Sequence, residues 1–317
     1  MNIPKPIDVG VIGCGWIMRS IYTPVLLSLP DLVRVIAVCD LNEAAAQACA
    51  GPFAQAKAFT DIETMLRDTK PNAVLVLTDE KATAPVTRQV LLANVPIYQE
   101  KPPALTSSEL EDLIAVEAQG SGFVHTAFNR RHTPLFSALD SGTKLRRISG
   151  ALNRSGRDVA SFPLTAVHVL DSAQHFAGSL FQSWKVGFEK RVGHSVWTID
   201  GKLENGAACV LQFTPDATNF EEFLVLETDA GIWELQFPNP AAAIPEGELI
   251  VTTQDGSPRI ATRGPAALDS LEAMGFRDCV RDFIDQVRNR KASRLHRLSR
   301  YRSTIRLMIE MESSVKG

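Results

Sequence analysis

The stretch Asp8-Val9-Gly10-Val11-Ile12-Gly13-Cys14-Gly15-Trp16-Ile17-Met18 decides the fold. An apolar run leads into closely spaced glycines, which predicts a buried strand, a tight turn and the start of a helix. Gly13 permits the turn, and Gly15 has no Cβ, so backbone N–H groups at the helix start can approach a phosphate. The stretch is therefore typical of a site for a dinucleotide pyrophosphate.

The third glycine of the usual fingerprint is replaced by Met18. That glycine normally lets the helix pack closely on its strand, so Met18 predicts a more distant helix rather than a lost phosphate site. Two glycines of three are a weak signal on their own, and the prediction needs support from further along the chain.

The segment Arg34-Val35-Ile36-Ala37-Val38-Cys39-Asp40 gives that support, because a β-branched apolar run ends in an acid where the second strand of a dinucleotide fold should end. A carboxylate there can accept hydrogen bonds from both adenosine ribose hydroxyls and would repel a 2′-phosphate. Asp40 therefore favours NAD over NADP. The alternative is a turn residue at a strand end, where Asp is common.

Strand and helix patterns alternate through the first 128 residues. This alternation predicts a dinucleotide-binding Rossmann domain over residues 1–128, built on a doubly wound parallel sheet. A helix over residues 16–29 should break near Pro24, and Ser107 or Ser108 should cap a helix over residues 109–119.

The pattern changes in the second half, where turn signals such as Asn205-Gly206 separate strand-like segments. Consecutive hairpins predict an α+β domain over residues 129–317 with an open, mostly antiparallel sheet, serving substrate binding and oligomerisation. Residues 237–245 should form an irregular crossing. The terminal helices, from about residue 276, are free to pack back on the N-terminal domain.

The composition excludes several classes of protein. A formal net charge of −3 over 317 residues gives no electrostatic reason to expect nucleic acid or a membrane surface as a partner. The five cysteines are scattered without a C-x-x-C pair, which favours free thiols over disulfides or a zinc site. With no membrane-length apolar run and no signal-peptide pattern, we expect a cytoplasmic protein. The basic run 288–302 has one interleaved aromatic and is typical of a solvated connection.

Four separated segments together resemble the glucose–fructose oxidoreductase / inositol dehydrogenase (Gfo/Idh/MocA) family. The resemblance extends over essentially the whole chain, and the Glu-Lys-Pro motif in register with the other segments makes it specific. The segments are the glycine turn with Asp40, Tyr98-Gln99-Glu100-Lys101-Pro102, Ala127-Phe128-Asn129-Arg130-Arg131, and His168-Val169-Leu170-Asp171 followed by Phe176-Ala177-Gly178.

The resemblance implies an NAD(P)-dependent oxidoreductase that acts on a sugar, cyclitol or related polyol. It makes Lys101 the catalytic lysine and His168 the acid/base, and it suggests a cis peptide bond before Pro102. The cofactor contacts that it implies come from Gly13, Gly15, Trp16, Ile17, Asp40, Thr78, Glu100 and Lys101.

The residue types suit this chemistry. A cation near the substrate oxygen stabilises developing negative charge, and histidine moves a proton near neutral pH. The alternatives are a solvated surface lysine at 101 and a core histidine at 168. His168 and His175 have no third partner at metal-ligand spacing, so no metal is expected.

The chain departs from the family pattern at four positions, one of which is Ala166, where many members have a glycine two residues before His168. Leu164 stands where an aspartate usually shares the proton work, four residues before His168, and Asp79 and Thr83 replace a proline and a histidine. Asp158 or Asp171 could substitute for the missing acid.

A second group of candidates consists of arginines with one acid on segments that should approach the cleft. Guanidinium groups match carboxylates and phosphates, so some of them are expected to bind substrate, and surface salt bridges are the alternative. The predicted substrate-binding residues are Arg130, Arg131, Arg157 and Asp171, and Arg154 lies on the same segments.

Three functions remain open at the level of sequence. The first is an NAD(P)-dependent dehydrogenase or reductase for a sugar-like alcohol or ketone. The second is a non-catalytic NAD(P)- and sugar-sensing regulatory protein, which Leu164 and Thr83 motivate. The third is an enzyme that retains NAD for transient oxidation, as in glycoside cleavage. An exposed face of the antiparallel sheet predicts a homodimer or homotetramer.

Overall fold

The computed structural model describes residues 5–315 except 138, 140–142, 216, 255–257, 266–267, 291–292 and 294–295. Within this range, only the backbone is described at residues 258–261. The chain divides into two compact units. The first unit contains the residues up to 127 and residues 279–302. The second contains residues 128–278 and those from 303 onward.

The first unit is built on a six-stranded parallel sheet in the order β3-β2-β1-β4-β5-β6. This order confirms the prediction of a doubly wound Rossmann fold. The strands are β1 Ile7–Ile12, β2 Val33–Cys39, β3 Lys57–Phe59, β4 Ala73–Val76, β5 Ile97–Gln99 and β6 Val124–Thr126. The helices of this part of the chain are α1 Thr23–Leu27, α2 Glu43–Ala50, α3 Ile62–Thr69, α4 Glu80–Leu92 and α5 Ser107–Glu117.

The second unit is built on an eight-stranded sheet in the order β14-β13-β12-β11-β7-β10-β9-β8. Its strands are β7 Leu145–Asn153, β8 Phe181–Arg191, β9 His194–Leu203, β10 Ala208–Thr214, β11 Glu221–Thr228, β12 Gly231–Gln236, β13 Glu248–Thr253 and β14 Pro258–Arg263. The remaining helices are α6 Pro163–Phe176, α7 Ser270–Ala273, α8 Phe276–Asn289 and α9 Arg302–Ser314. The mostly antiparallel sheet confirms the predicted α+β architecture.

One strand pair of the second sheet differs from a simple series of hairpins. β7 and β10 run parallel, with Ile148 opposite Cys209. This pairing places β7 between β10 and β11. β7 pairs antiparallel with β11, and β10 pairs antiparallel with β9. β13 and β14, which the sequence did not predict, extend the sheet beyond the irregular segment that begins at residue 237.

Side chains of α6 and α9 complete the core of the second unit on one face of its sheet. Gln174, on α6, is buried and bonds across to α9, where its Nε2 lies 2.8 Å from Thr304 Oγ1 and its Oε1 lies 2.6 Å from Ser303 Oγ. The same oxygen accepts the backbone N–H of Phe181 at 3.1 Å. Because each polar atom of this amide is bonded, it fixes the two helices at little desolvation cost.

The start of α5 differs from the sequence prediction, whereas the interruption before Pro24 agrees with it. Thr106, rather than Ser107 or Ser108, caps α5, and Glu109 completes the capping box by bonding back to the Thr106 backbone. After the glycine turn, a π-helical segment, Met18–Tyr22, precedes α1, which has Pro24 in its first turn. The wider turn occurs where the buried Met18 replaces the third glycine.

All five cysteines are free and buried, as the scattered spacing predicted. Burial raises the pKa of Cys39 to about 11 and of Cys209 to about 12. Among the described helices, none is both long and apolar enough to cross a membrane.

Candidate functional site

The turn after β1 depends on glycine at two positions for different reasons. Gly13 has a φ of +97°, and a Cβ on it would lie 2.7 Å from the carbonyl carbon and oxygen of Leu77. A side chain at Gly15 would meet no atom within 4 Å. Gly13 is therefore required by the fold, whereas Gly15 borders open space above the first turn of the helix, where a phosphate group fits.

Asp40 connects the end of β2 to this turn. Its Oδ2 accepts the backbone N–H of Cys14 at 2.8 Å, and its Oδ1 accepts that of Asn42 at 2.9 Å. Each carboxylate oxygen has a further lone pair, so both remain able to accept a ribose hydroxyl. The carboxylate predicted from sequence thus lies directly beside the glycine turn, with Trp16 exposed at the helix start.

The sheet order reverses between β1 and β4, which defines the switch point where ligands bind in such folds. Gly13 follows β1, Asp40 follows β2, and Thr78 and Glu100 follow the carboxyl ends of β4 and β5. The strand ends therefore bring together the nucleotide-binding residues that the sequence predicted. Ile17 belongs to the same helix start as Trp16.

Two of the residues that depart from the family pattern, Asp79 and Thr83, form hydrogen bonds at this edge of the sheet. Asp79 caps α4 by accepting the backbone N–H groups of Lys81 and Ala82, both at 3.0 Å. The Thr83 hydroxyl lies 3.1 Å from the Thr78 hydroxyl and donates to the Asp79 carbonyl at 2.8 Å. These replacements therefore preserve the order of the loop after β4.

Glu100 is 9% exposed, and both of its carboxylate oxygens accept hydrogen bonds. Its Oε1 accepts the Tyr22 hydroxyl at 2.6 Å, and its Oε2 accepts the backbone N–H of Lys101 at 3.0 Å. Lys101 is half-buried, and its bond to Pro102 is cis, as the sequence hypothesis proposed. Tyr22 was missed at the level of sequence, because no local pattern connects it with a residue 78 positions away.

The donors and the open space of the first unit fit a dinucleotide. The Gly13–Gly15 turn offers backbone N–H groups without a side chain in front of Gly15, and Asp40 offers acceptors beside it. Glu100 and Lys101 lie after the strand that neighbours the switch point. The residues present therefore fit a dinucleotide.

In the second unit, His168 lies on α6 and is 8% exposed. The ring of Phe128 meets the His168 ring edge to face, with centroids 6.2 Å apart. One helical turn further, Asp171 forms a bidentate ion pair with Arg131, in which Arg131 Nε donates to Asp171 Oδ2 at 2.7 Å. The Arg131 guanidinium also lies over the Phe128 ring, 5.5 Å from its centroid.

A second buried ion pair joins Arg130 to Glu222, which is 1% exposed. Arg130 donates to both carboxylate oxygens, at 2.5 and 2.8 Å. The sequence analysis missed Glu222, although its position among the inward-facing residues of β11 was a usable signal. Arg130, Arg131 and Asp171, which were predicted as substrate ligands, are thus already paired with charged groups.

The other candidates of this unit are more exposed. Arg157 and Asp158 lie on the surface, where Asp158 accepts the backbone N–H of Ser161 at 3.1 Å. Arg154 is half-buried over the Phe220 ring at 5.8 Å, and its burial, together with Arg157 and Arg130, lowers its pKa. Leu164, in the first turn of α6, offers no ionisable group.

Comparisons with known proteins agree with this arrangement. Residues 7–128 match the family model described as an oxidoreductase family with an NAD-binding Rossmann fold. Residues 7–128 belong to the Gfo/Idh/MocA oxidoreductase family. This Gfo/Idh/MocA segment carries the glycine turn, Asp40 and the Glu100-Lys101-Pro102 motif, so the match confirms the family inferred from those residues.

Two curated relatives match only part of the chain. An inositol 2-dehydrogenase from Paracoccus denitrificans is 32% identical over 135 residues, which are 42% of this chain and 40% of the relative. A D-glucoside 3-dehydrogenase from Escherichia coli is 30% identical over 34% of this chain and 31% of its own length. The matched part thus spans less than half of these relatives.

Solved structures share the fold of the whole chain. A dehydrogenase from Chromobacterium violaceum has a TM-score of 0.85 at 18% identity and covers 98% of this chain and 95% of its own. A Gfo/Idh/MocA family oxidoreductase from Vibrio cholerae has a TM-score of 0.80 at 17% identity, with 98% and 100% covered. At these identities the likeness shows the fold alone.

Proposed function

We propose that the protein is an NAD-dependent oxidoreductase that transfers a hydride between nicotinamide and a sugar-like or cyclitol alcohol or ketone. The observation that carries the proposal is the Glu100-Lys101-Pro102 motif after β5, in the same unit as a glycine turn with open space at Gly15 and Asp40 beside it. The names of the curated relatives, an inositol 2-dehydrogenase and a D-glucoside 3-dehydrogenase, support a polyol substrate.

The bound cofactor would accept or give the hydride, and residues of the chain would manage charge and proton. Lys101 presents a cation, which stabilises negative charge on the substrate oxygen. His168 exchanges the hydroxyl proton, since imidazole titrates close to neutral pH. Asp171 is held by Arg131, so its role in this scheme is to position α6 rather than to replace the acid missing at Leu164.

The test uses purified protein, NAD⁺ and a panel of polyols that includes myo-inositol, with NADH formation followed by absorbance. We expect turnover of at least one polyol, and we expect Lys101→Ala to lower kcat by at least about 100-fold, because a positioned charge in the site is worth that much. Cofactor affinity, measured by NADH fluorescence titration, should change by less than about threefold.

Lys57→Ala is the matched control, because Lys57 is an exposed lysine on β3 of the same unit. It should leave both kcat and NADH affinity unchanged. An unchanged rate in Lys101→Ala would remove this lysine from the mechanism.

The second candidate is a non-catalytic sensor of NAD(P) and a sugar. Leu164 favours it, because α6 has no carboxylate at this position and the Asp171 carboxylate is engaged by Arg131. Tight binding of NADH and of a polyol, without turnover of any member of the panel, would support the sensor over the enzyme.

A further inference from the structure

The four arginines that the sequence singled out in the second unit differ in whether their guanidinium groups are already engaged. Arg130 and Arg131 each donate to both oxygens of one buried carboxylate. Within the part of the chain that the structure describes, neither Arg154 nor Arg157 forms an ion pair or a side-chain hydrogen bond. The guanidinium donors that remain available to a ligand are therefore those of Arg154 and Arg157.

The strand register places Arg154 beside the ion pair between Arg130 and Glu222. In the antiparallel pair of β7 and β11, Leu152 lies opposite Glu222. The same register, continued past the end of β7, sets Arg154 opposite Phe220, and the guanidinium carbon lies 5.8 Å from the centroid of that ring. Because opposed residues and residues two apart share one face of a sheet, Arg154, Phe220 and Glu222 lie on the same face. Leu152 belongs to the core, so this is the face that α6 covers.

A turn brings Arg157 back toward Arg154. Ser155 and Gly156 form this turn, and Gly156 has a φ of +67°, which glycine adopts without a steric penalty. The first and fourth residues of a four-residue turn have Cα atoms within about 7 Å of each other. The two long side chains can therefore reach the same ligand.

Arg154 is restrained by contacts that leave its donors unused. Its backbone N–H donates to the carbonyl of Thr214 at 2.9 Å, which fixes this end of β7 to β10. The Phe220 ring holds the guanidinium through a cation–π contact, which uses none of the five N–H groups in the guanidinium plane. A restrained group with free donors is prepared to bind an anion.

The charge around Arg154 is unbalanced. Its charged neighbours are Arg130, Arg157 and Glu222, and the one carboxylate among them is already shared with Arg130. Asp158, the next acid along the chain, is exposed and accepts a backbone N–H of the turn before α6. A half-buried cation among other cations is unfavourable in the free protein and is stabilised when an anion binds.

We propose that Arg154 and Arg157 bind a carboxylate or phosphate group of the substrate, so that the reacting alcohol or ketone belongs to an anionic sugar derivative. This inference rests on the proposed function and narrows its substrate class. Guanidinium forks match both kinds of anion in bidentate geometry. The loop that carries the two arginines leads into α6, which has His168 in its second turn. The anion site and the proposed acid/base are thus on consecutive segments of one unit.

The first test needs no ligand and compares unfolding midpoints in urea. Arg154→Met removes the charge and keeps an apolar stem, so we expect the midpoint to stay the same or to rise. Arg130→Met should lower it, because the buried carboxylate of Glu222 loses its partner. Arg191→Met is the control, since Arg191 is an exposed arginine on β8 of the same unit, and it should change little. If Arg154→Met destabilised the protein as much as Arg130→Met, Arg154 would be a structural ion-pair residue and the proposal would be overturned.

The second test measures ligand affinity by isothermal titration calorimetry in saturating NADH, which does not oxidise an alcohol. Methyl glucoside is compared with methyl glucuronide and with methyl glucoside 6-phosphate, because the charged ligands place a carboxylate or a phosphate at the same end of one sugar. None of the three contains an aldehyde or ketone that NADH could reduce. We expect at least one anionic ligand to bind at least about tenfold more tightly than methyl glucoside. The tighter of the two identifies the anion, and equal affinity for all three would contradict the proposal.

Variants of Arg154 show whether that preference comes from the proposed site. Arg154→Met should weaken binding of the preferred anionic ligand by at least about tenfold and change the affinity for methyl glucoside by less than about twofold. Arg154→Lys should keep part of the preference, because it retains the charge and loses the planar fork. Arg191→Met should leave both affinities unchanged. Equal losses for the charged and the neutral ligand in Arg154→Met would mean that this residue supports the fold and does not bind the anion.

Steady-state kinetics separate this proposal from the proposed function. With NAD⁺ and the best anionic polyol, Arg154→Met should raise KM by at least about tenfold and change kcat by less than about threefold, since the anion is held equally before and during hydride transfer. An anion preference that depends on Arg154, without turnover of any polyol, would mean that the proposed function fails and the anion site stands. Turnover of neutral polyols without any anion preference would mean the reverse.

Discussion

At the scale of single residues, the two glycines of the first turn should have different roles, with Gly13 needed for stability and Gly15 for cofactor binding. Gly13→Ala should lower the free energy of unfolding by roughly 1–3 kcal/mol, because it places a Cβ against the Leu77 carbonyl at a positive φ. Gly15→Ala should leave stability nearly unchanged, since the new methyl group meets no atom, and should weaken NADH binding by filling the phosphate space.

Urea unfolding and NADH titration of the two variants check this contrast. Gly15→Ala is the matched partner of Gly13→Ala, because the substitution is identical and the positions are two residues apart. If Gly15→Ala bound NADH with unchanged affinity, the phosphate would have to lie elsewhere.

Asp40 should decide between NAD and NADP. Asp40→Asn keeps an oxygen that can accept the Cys14 N–H and removes the charge that repels a 2′-phosphate. We expect preference for NAD⁺ over NADP⁺, measured as the ratio of kcat/KM values or of Kd values for the reduced forms, to fall by at least about tenfold.

Asp68→Asn is the charge-matched control, because Asp68 lies on α3 and pairs with the exposed Arg67. It should leave the cofactor preference unchanged. An unmodified protein that bound NADPH as well as NADH would contradict the role given to Asp40.

At the scale of elements, the two members of the ion pair that joins α6 to the segment after residue 128 should be energetically coupled. Asp171→Asn should cost about 3–5 kcal/mol of stability, because it leaves the buried Arg131 guanidinium without its counter-charge. The double variant Arg131→Met/Asp171→Leu should cost much less than the sum of its single changes, since no charge remains buried.

Urea unfolding of the double-mutant cycle checks this expectation. Glu111→Gln breaks the Arg302–Glu111 pair, which is also bidentate but half-exposed, and should cost less than about 1 kcal/mol. Additive costs at Arg131 and Asp171 would show that the two side chains are not energetically coupled.

Strands and turns whose formation depends on residues close together in the chain were predictable from the sequence. Residues 73–76 form a fully buried parallel strand, as their continuous apolar run predicted, and the Asn205-Gly206 turn joins β9 to β10 as predicted. β13 was not predicted because its side chains are mostly half-buried and lack clear alternation. The cap of α5 was misplaced by one residue, since Thr106, Ser107 and Ser108 are all competent caps and only Thr106 is three residues before Glu109.

At the scale of the whole molecule, one face of the second sheet predicts self-association. Phe223, Val225 and Ile250 are half-buried on β11 and β13, and Ile232 on β12 is 40% exposed. Covering this face with a second copy would remove apolar surface from water, so we expect a homodimer or homotetramer. Light scattering coupled to size-exclusion chromatography measures the mass.

Ile232→Glu should shift that mass toward the monomer, because it places a charge in the interface. Val192→Glu is the matched control, since Val192 is fully exposed in the turn between β8 and β9. An unmodified protein that is monomeric at micromolar concentration would contradict the predicted assembly.

The sequence by itself determined the glycine turn, the acid after β2, the Glu100-Lys101-Pro102 motif and the alternation of strands and helices, because each depends on residues close together in the chain. Only the tertiary structure decided the partners of the buried charges and hydroxyls. Arg130 meets Glu222 92 residues away, Arg131 meets Asp171 40 residues away, and Tyr22 meets Glu100 78 residues away. The parallel pairing of β7 with β10 was decided in the same way. Burial removes these groups from water, and each must then take as its partner whichever polar group the packed elements bring beside it.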